Sequence, residues 1–315
     1  MIHFNNAYIK YIAHLEQIND AALAEPERMI REVEASYTEN LQNIARHIVE
    51  HHRSAHIVML AGPSSSGKTT TAHLLREHLQ NFGVPAEIIS LDDFYLSSDK
   101  TPLLPDGTKD YETVNALDTE AIKDCLKALS EGRSYDVPRF DFTLGRALEE
   151  KVPLCLGKNG ITIVEGIHAL NPMFTAHLEE GSAVKLYVSV KQQIKDANGE
   201  VISPMDLRLV RRIVRDMQFR STPVEKTLAM WPNVVNGEDR YIRPYRMTAD
   251  YTVNSIHIYE SCVLRSRAIP VLRSVAGDSP YYRKARDLEA RLMRFEPINA
   301  ELVPAGSMLR EFLGR

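Results

Sequence analysis

The feature that most constrains the fold of this chain is a glycine-bounded segment that follows a short apolar run. Residues 62–69, GPSSSGKT, fit the pattern G-x-x-x-x-G-K-[ST] at every fixed position. The unbroken apolar run Ile57 to Ala61 before it is typical of a strand buried on both faces, and helical spacing follows it. A strand, this loop and a helix in succession predict a phosphate-binding loop at the edge of a parallel sheet.

This loop predicts the chemistry of nucleotide binding. Its backbone N–H groups and the helix N-terminus would face phosphates, and glycine allows the backbone to approach them closely. Lys68 would reach the β and γ phosphates, and the Thr69 hydroxyl would bind Mg²⁺. Glu165, which follows the apolar run at 161–164, would be a second metal residue. The predicted ATP-binding residues of the loop are Gly62, Ser64, Ser65, Ser66, Gly67, Lys68, Thr69 and Thr70.

The rest of the chain repeats the alternation of strand and helix. Apolar runs at 86–91, 161–164, 184–190 and 250–253 predict further strands. This order predicts an α/β fold with a doubly wound, mainly parallel sheet. Helical spacing, which starts near Tyr8, predicts a helical extension at 1–54 before a nucleotide-binding domain at 55–315. Within that domain we expect an inserted hairpin or loop with a turn at Asn198-Gly199, a lid region near 191–222 and C-terminal helices at 258–295.

Two adjacent carboxylates follow the second predicted strand. Asp92 and Asp93 lie where a phosphotransferase needs a carboxylate to orient the attacking hydroxyl and accept its proton. Adjacent aspartates can instead cap a helix or a turn. The residues by themselves leave both interpretations open.

Arginines recur further along at helical spacing. Arg208, then Arg211 or Arg212, and then Arg215 fall on one face of a predicted helix. Such a row can close over phosphates as a lid that neutralises transition-state charge and excludes water. The alternative is a solvated basic face, and the coexisting phosphate loop favours the lid.

Charge and hydropathy exclude several classes of function. The 38 basic and 42 acidic residues give a net charge of −4, so there is no overall positive field of the kind that attracts nucleic acid. No window approaches the roughly 20 apolar residues that cross a bilayer, and the first residues are unlike a signal peptide. We therefore expect a cytoplasmic protein without a nucleic-acid or membrane partner.

The motifs together resemble those of the uridine kinase and phosphoribulokinase family of P-loop kinases, and within it the bacterial uridine kinase-like nucleoside kinases. The resemblance covers about residues 55–315. It implies a P-loop kinase fold, ATP as co-substrate, Mg²⁺, a small-molecule acceptor and association into homo-oligomers. The segments that carry it are GPSSSGKTT at 62–70, LDDFYL at 91–96, DYETVNALD at 110–118, VPRFDF at 137–142, IVEGIHALNP at 163–172 and RLVRRIVRD at 208–216.

The resemblance also implies roles for residues at the acceptor. The family's catalytic base, the first Asp of D-x-F-Y, corresponds to Asp92. The acid that holds the ribose hydroxyls corresponds to Glu112, where uridine-cytidine kinases have Asp, and the aromatic residue near the base corresponds to Phe140. The histidine that reads the pyrimidine would fall near Gly145, so the chain departs from the pattern there and its base specificity is open. Tyr95 and Arg139 complete this predicted acceptor set.

The arginine row acquires roles in the same way. Arg208 corresponds to a substrate contact, whereas Arg211 and Arg215 correspond to lid arginines on the ATP phosphates. The resemblance therefore implies transfer of the γ-phosphate of ATP to a nucleoside 5′-hydroxyl, with Asp92, Lys68 and Arg215 as the catalytic residues. Two alternatives remain: a related kinase for another small alcohol, such as a phosphorylated sugar or a pantothenate-like compound, and a nucleotide-binding regulator without metabolic turnover.

Overall fold

The computed structural model describes residues 11–314 of the chain. Tyr8, near which the helical spacing begins, lies outside the described residues. The helices are α1 Leu15–Ala24, α2 Pro26–His51, α3 Lys68–Asn81, α4 Thr119–Ser130, α5 Pro204–Arg220, α6 Val224–Tyr241, α7 Glu260–Arg273, α8 Tyr282–Leu292 and α9 Arg310–Leu313. The strands are β1 Tyr11–His14, β2 Ile57–Ala61, β3 Ala86–Ser90, β4 Tyr135–Val137, β5 Phe140–Asp141, β6 Arg146–Ala147, β7 Val152–Leu154, β8 Ile161–Glu165, β9 Ala183–Ser189, β10 Gln192–Asp196, β11 Gly199–Ile202 and β12 Tyr251–Asn254.

Five strands form an all-parallel sheet in the order β12-β9-β2-β8-β3. Both faces of the central strand β2 are buried, because its side chains alternate between two apolar clusters. Val58 and Leu60 pack with the cluster that includes α2, α3, α5 and α7, and Met59 packs with the cluster that includes α4. This arrangement confirms the predicted doubly wound α/β fold. Each predicted strand of the main sheet is present, with bounds that shift by one or two residues.

The order of the strands creates a reversal of direction at the carboxyl ends of β2, β3 and β8. The chain runs from β2 to β3, returns to β8 between them, and then adds β9 and β12 on the other side of β2. Ligands of open parallel sheets bind beyond the carboxyl ends of the strands at such a reversal of direction. The phosphate loop, Asp92 and Glu165 all follow strands at this edge.

The amino-terminal segment corrects one expectation. Helical spacing from residue 5 predicts a helix through this region, but Tyr11–His14 form β1, which pairs in parallel with β10, so helical structure begins at Leu15. The following helix α2 is not a separate layer, because Leu41, Ile44 and Ile48 are buried in the same cluster as the main sheet. Within residues 11–314, none of the helices has both the length and the apolar character required to cross a membrane.

The region from 191 to 222 contains a hairpin and then a long helix. Strands β10 and β11 pair antiparallel, and Asp196 is opposite Gly199 across the turn. The backbone N–H of Asn198 donates to the Asp196 carboxylate at 2.8 Å, which stabilises this turn locally. The predicted hairpin is confirmed. Helix α5, which carries the arginine row, follows it.

Candidate active site

The phosphate loop depends on glycine at two positions for different reasons. A Cβ atom at residue 62 would lie 2.1 Å from the carbonyl oxygen of Val188, so only glycine fits against β9 there. Gly67 has a φ of +86° and packs against Met308, so it needs both conformational freedom and space. Ser65 also has a positive φ, +58°. Left-handed residues at these positions are typical of an anion-binding loop.

Arg211 stabilises the phosphate loop from within the protein. The side chain is fully buried, and its guanidinium donates to Glu260 at 2.5 and 2.8 Å, to the carbonyl of Ser255 at 2.8 Å and to that of Ser65 at 3.2 Å. Four of its five N–H donors are thus used within the protein. The structure therefore does not support the expectation that Arg211 contacts ATP phosphates directly.

Arg212 occupies the position that the arginine row predicted for a phosphate contact. Its guanidinium donates to the Ser64 hydroxyl on the phosphate loop at 2.9 Å, and its charge opposes the rise that burial causes in the pKa of Glu112. Arg212 and Arg215 both form ion pairs with Asp216, at 3.2 and 2.8 Å. Sequence spacing contained this signal, since Arg211 and Arg212 are equivalent candidates until the packing of α5 is known.

Oxygen ligands suited to a metal ion meet beside the loop. The Thr69 hydroxyl lies 3.5 Å from the Glu165 carboxylate, and the Ser90 hydroxyl donates to the same carboxylate oxygen at 3.1 Å. Burial raises the pKa of Glu165 to about 7, and the charge of Lys68 opposes the rise. Hydroxyl and carboxylate oxygens are the ligands that Mg²⁺ prefers. Thr69 and Glu165 therefore fit the predicted metal role.

The raised pKa of Glu165 predicts a change of stability with pH. In the protein without ligands, the folded state retains a proton on Glu165 between about pH 4.5 and 7 that the unfolded state has lost, so this group lowers the stability as the pH rises through that window. We expect Glu165→Gln to raise the free energy of unfolding by about 2 to 3 kcal/mol at pH 8 and to change it little at pH 5.

Urea unfolding at both pH values measures this difference, without nucleotide or Mg²⁺. Glu180→Gln, at an exposed position, is the matched control and should show no such pH dependence. A Glu165→Gln variant that is less stable than the parent at pH 8 contradicts the prediction that burial disfavours the ionised form of Glu165.

The two adjacent aspartates have different surroundings. They lie in the short 3₁₀ turn Leu91–Phe94, because β3 ends at Ser90. The Asp93 carboxylate accepts hydrogen bonds from Arg139 at 2.8 Å and from the backbone N–H of Phe140 at 3.2 Å. Asp92 is exposed. Its pKa is raised, chiefly because the surrounding protein displaces water from the carboxylate, and the charges of Lys68 and Arg215 oppose the rise.

Aromatic side chains line the cleft beyond Asp92. The ring of Tyr95 lies 5.9 Å from that of Phe140 and 6.0 Å from that of Phe142. Phe140 and Phe142 are 5.0 Å apart. The sequence prediction named Phe140 and missed Phe142, although the alternation in VPRFDF was its signal. Phe142 is 65% exposed, so it leaves an aromatic face available to a planar group.

Helix α6 contacts two of the other predicted acceptor residues, Glu112 and Arg208. Gly237 packs on Glu112 so closely that a Cβ there would lie 2.5 Å from the Cβ of Glu112. Burial raises the pKa of Glu112 to about 7. The next residue of the helix, Glu238, accepts a hydrogen bond from the buried Arg208 at 2.6 Å. Glu112 and Arg208 thus both contact α6, and the charges of Arg212, Lys68 and Asp92 all act on the pKa of Glu112.

Comparison with known sequences now identifies the family. The sequence model of the Phosphoribulokinase / Uridine kinase family matches residues 57–260, more than half of the chain. The chain belongs to this family. It is therefore a kinase that uses ATP and transfers a phosphoryl group to an alcohol on a small molecule.

Individual relatives agree with this placement. The chain is similar to a uridine kinase of Macrococcus caseolyticus, with 29% identity over 62% of this chain and 86% of the relative. It is also similar to uridine-cytidine kinase B of Dictyostelium discoideum, with 27% identity over 64% of this chain and 76% of the relative. A candidate fructose transport system kinase from Silicibacter sp. TM1040 has the same fold, with a TM-score of 0.51 and 22% identity over 67% of this chain and 98% of that one.

Proposed function

We propose that the protein transfers the γ-phosphate of ATP to the 5′-hydroxyl of a nucleoside. The observation that carries this proposal is the position of Asp92, an accessible carboxylate between Lys68 of the phosphate loop and the aromatic side of the cleft. A carboxylate so placed can orient an attacking hydroxyl and accept its proton. The names of the relatives, uridine and uridine-cytidine kinases, support a nucleoside as the acceptor.

Each residue then has a defined task in the transfer. The loop amides and Lys68 bind the phosphates, and Arg212 and Arg215 neutralise charge that develops as the γ-phosphate moves. Asp92 receives the proton of the acceptor hydroxyl. Thr69 and Glu165 would hold Mg²⁺, which neutralises phosphate charge when it is bound. The resemblance further supports homo-oligomers that act in the cytoplasm.

The acceptor would be held by its sugar and its base at different places. Glu112 suits the ribose hydroxyls, because a carboxylate accepts hydrogen bonds from two neighbouring O–H groups. Tyr95, Phe140 and Phe142 suit the flat face of a base. Gly145, near which the family's pattern has a histidine, has a φ of +64°, a backbone conformation that favours glycine.

A panel of nucleosides with ATP and Mg²⁺, read by product mass, tests the proposal. We expect one or more nucleosides to gain a single phosphate at the 5′ position. If ATP consumption is independent of every added nucleoside and depends on another alcohol, the proposed acceptor is wrong. Binding of ATP without turnover on any acceptor would favour a nucleotide-binding regulator.

Gly237→Ala tests the position of Glu112. Because the added Cβ would lie 2.5 Å from Glu112, Glu112 must shift, and we expect the KM for the acceptor to rise about tenfold or more, while the KM for ATP stays nearly constant. Alanine favours a helix over glycine by about 1 kcal/mol, so a weakened helix cannot explain the loss. Steady-state kinetics with each substrate varied separately measures both constants.

The matched control is Asn236→Ala, at an exposed position of the same helix. It should leave both KM values unchanged. An unaltered acceptor KM in Gly237→Ala would show that Glu112 does not contact the acceptor or that α6 moves away without consequence.

A further inference from the structure

The arginines on the phosphate side of the cleft carry an excess of positive charge. Arg212, Arg215 and Arg220 lie 3.2, 2.8 and 3.7 Å from oxygens of the single carboxylate of Asp216. Lys68, the first residue of α3, belongs to the same charged region, because its charge and those of Arg215 and Arg220 all oppose the rise in the pKa of Asp92. We call these four cations the donor wall. Asp216 is shared by three arginines, so their positive charge exceeds its negative charge and is available for the phosphates of ATP.

The acceptor side is balanced instead. Arg139 is paired with Asp93 at 2.8 Å, and Arg208 with Glu238 at 2.6 Å. Glu238 also pairs with Arg243 at 3.4 Å, and Arg243 in turn pairs with Asp239 at 2.8 Å. Together with the carboxyl group of Glu112, the first two pairs form what we call the acceptor wall. Each of its two arginines therefore already holds a protein carboxylate, and Glu112 adds a further acidic group.

The pair of Arg208 and Glu238 is fixed by its surroundings. Both side chains are more than nine-tenths buried, and the Arg208 guanidinium also lies over the Trp231 ring at 5.6 Å. Glu238 and Trp231 both belong to α6. A buried, hydrogen-bonded carboxylate does not release its cation readily, because the released partner would leave a charge uncompensated in a medium of low polarity.

This balance bears on the chemistry of the acceptor. An acceptor that already carries a phosphate needs an uncommitted cation, because burying a phosphate near carboxylates is strongly unfavourable. An uncharged, hydroxyl-rich acceptor needs no such cation and is suited by the oxygen of Glu112. Specificity can thus arise from the lack of an uncommitted cation for a phosphate as well as from favourable contacts with the preferred acceptor.

We propose that Glu238 is a specificity-determining residue, which holds Arg208 and thereby excludes acceptors that already carry a phosphate. The acceptor class is then an uncharged polyhydroxy compound. This inference rests on the proposed function to the extent that the acceptor wall faces the acceptor. It goes beyond that function because it assigns the discrimination to a buried residue of α6.

The first test uses the unaltered full-length protein with acceptors in matched pairs. One pair is a nucleoside that the panel identifies and its 3′-monophosphate, and the other is ribulose and ribulose 5-phosphate. In whichever pair is used, we expect the kcat/KM of the phosphorylated member to be lower than that of the unphosphorylated member by a factor of about 100 or more. Equal use of the phosphorylated member overturns the inference. If ribulose is used and no nucleoside is, the proposed function fails while the inference stands.

The second test assigns the discrimination to Glu238. Glu238→Gln keeps the shape of the side chain and frees the charge of Arg208. The kcat/KM of the unphosphorylated member divided by that of the phosphorylated member should therefore fall by about tenfold. Glu225→Gln is the control, because it makes the same chemical change in the first turn of α6, 13 residues before Glu238. Its ratio should equal that of the parent. A folded Glu238→Gln protein with an unchanged ratio overturns the role of Glu238, and the matched pairs decide the acceptor class even where this variant does not fold.

Discussion

Replacing Lys68 by alanine will lower kcat by about 10³-fold or more. The side chain lies at the first residue of α3, and its ammonium is 3.3 Å from the Pro63 carbonyl oxygen, folded over the phosphate loop. In the reaction this ammonium can follow the γ-phosphate and stabilise the charge that develops on it, a contribution of several kcal/mol in a site without water. Alanine is the best helix former, so α3 should still begin at this residue.

Single-turnover and steady-state kinetics with ATP and an identified acceptor measure this loss, and circular dichroism checks the fold. Lys127→Ala, at an exposed position of α4, is the matched control and should retain parental kcat. Near-parental turnover by a folded Lys68→Ala protein would refute the assignment of the phosphate loop as the donor site.

The same substitution should also alter the pH dependence. The charge of Lys68 lowers the pKa values of Asp92, Glu165 and Glu112 toward their ordinary range. Without it, all three carboxyl groups hold their protons to higher pH, so fewer of them are ionised at neutral pH. We expect the acidic limb of the residual activity to move to higher pH in Lys68→Ala and to stay in place in Lys127→Ala.

The sequence was sufficient wherever the determining contacts are local. The phosphate loop, the buried strand before it and the hairpin at Asn198-Gly199 each depend on neighbouring residues, and the structure has all three. The strand β1 depends on pairing with β10, about 180 residues further along the chain. A short apolar run gives no sign of such a partner, so its helical spacing was misleading.

Side-chain partners across the fold were also beyond the sequence. Arg211 and Arg212 are adjacent on α5 and differ in direction by about 100°, which places one against Glu260 and the other against Ser64. Spacing identified the row but not which arginine faces the cleft. The contact between Gly237 and Glu112 likewise joins segments that no sequence motif links.

Described residues on both sides of the family match at 57–260 contact the phosphate loop or the first turn of α3. The Tyr37 hydroxyl on α2 lies 2.6 Å from the Thr71 hydroxyl on α3. On the other side, the Thr70 hydroxyl donates to Glu311 at 3.2 Å, and Met308 packs on Gly67. The loop is therefore supported by segments outside the shared family region, and its geometry is a property of the whole chain.

The pair of aspartates after β3 gives the second large effect. Asp92→Asn should lower kcat by about 10² to 10⁴-fold, the usual contribution of a general base, and should leave the affinity for ATP nearly unchanged. Asparagine keeps the size of the side chain and cannot accept the proton of the acceptor hydroxyl. The binding of ATP depends on the loop amides and Lys68, which this change does not touch.

Asp93→Asn is the matched comparison, because the same chemical change occurs one residue away. Successive residues of a 3₁₀ turn differ in direction by about 120°, so only one of the two carboxylates reaches the acceptor. Asp93 faces Arg139 and the backbone of Phe140, so its loss should loosen that segment and raise the KM of the acceptor with a modest effect on kcat. An inactive Asp93→Asn beside an active Asp92→Asn would move the base by one residue. If both variants stay active, neither carboxylate accepts the proton, and the mechanism proposed for this cleft is wrong.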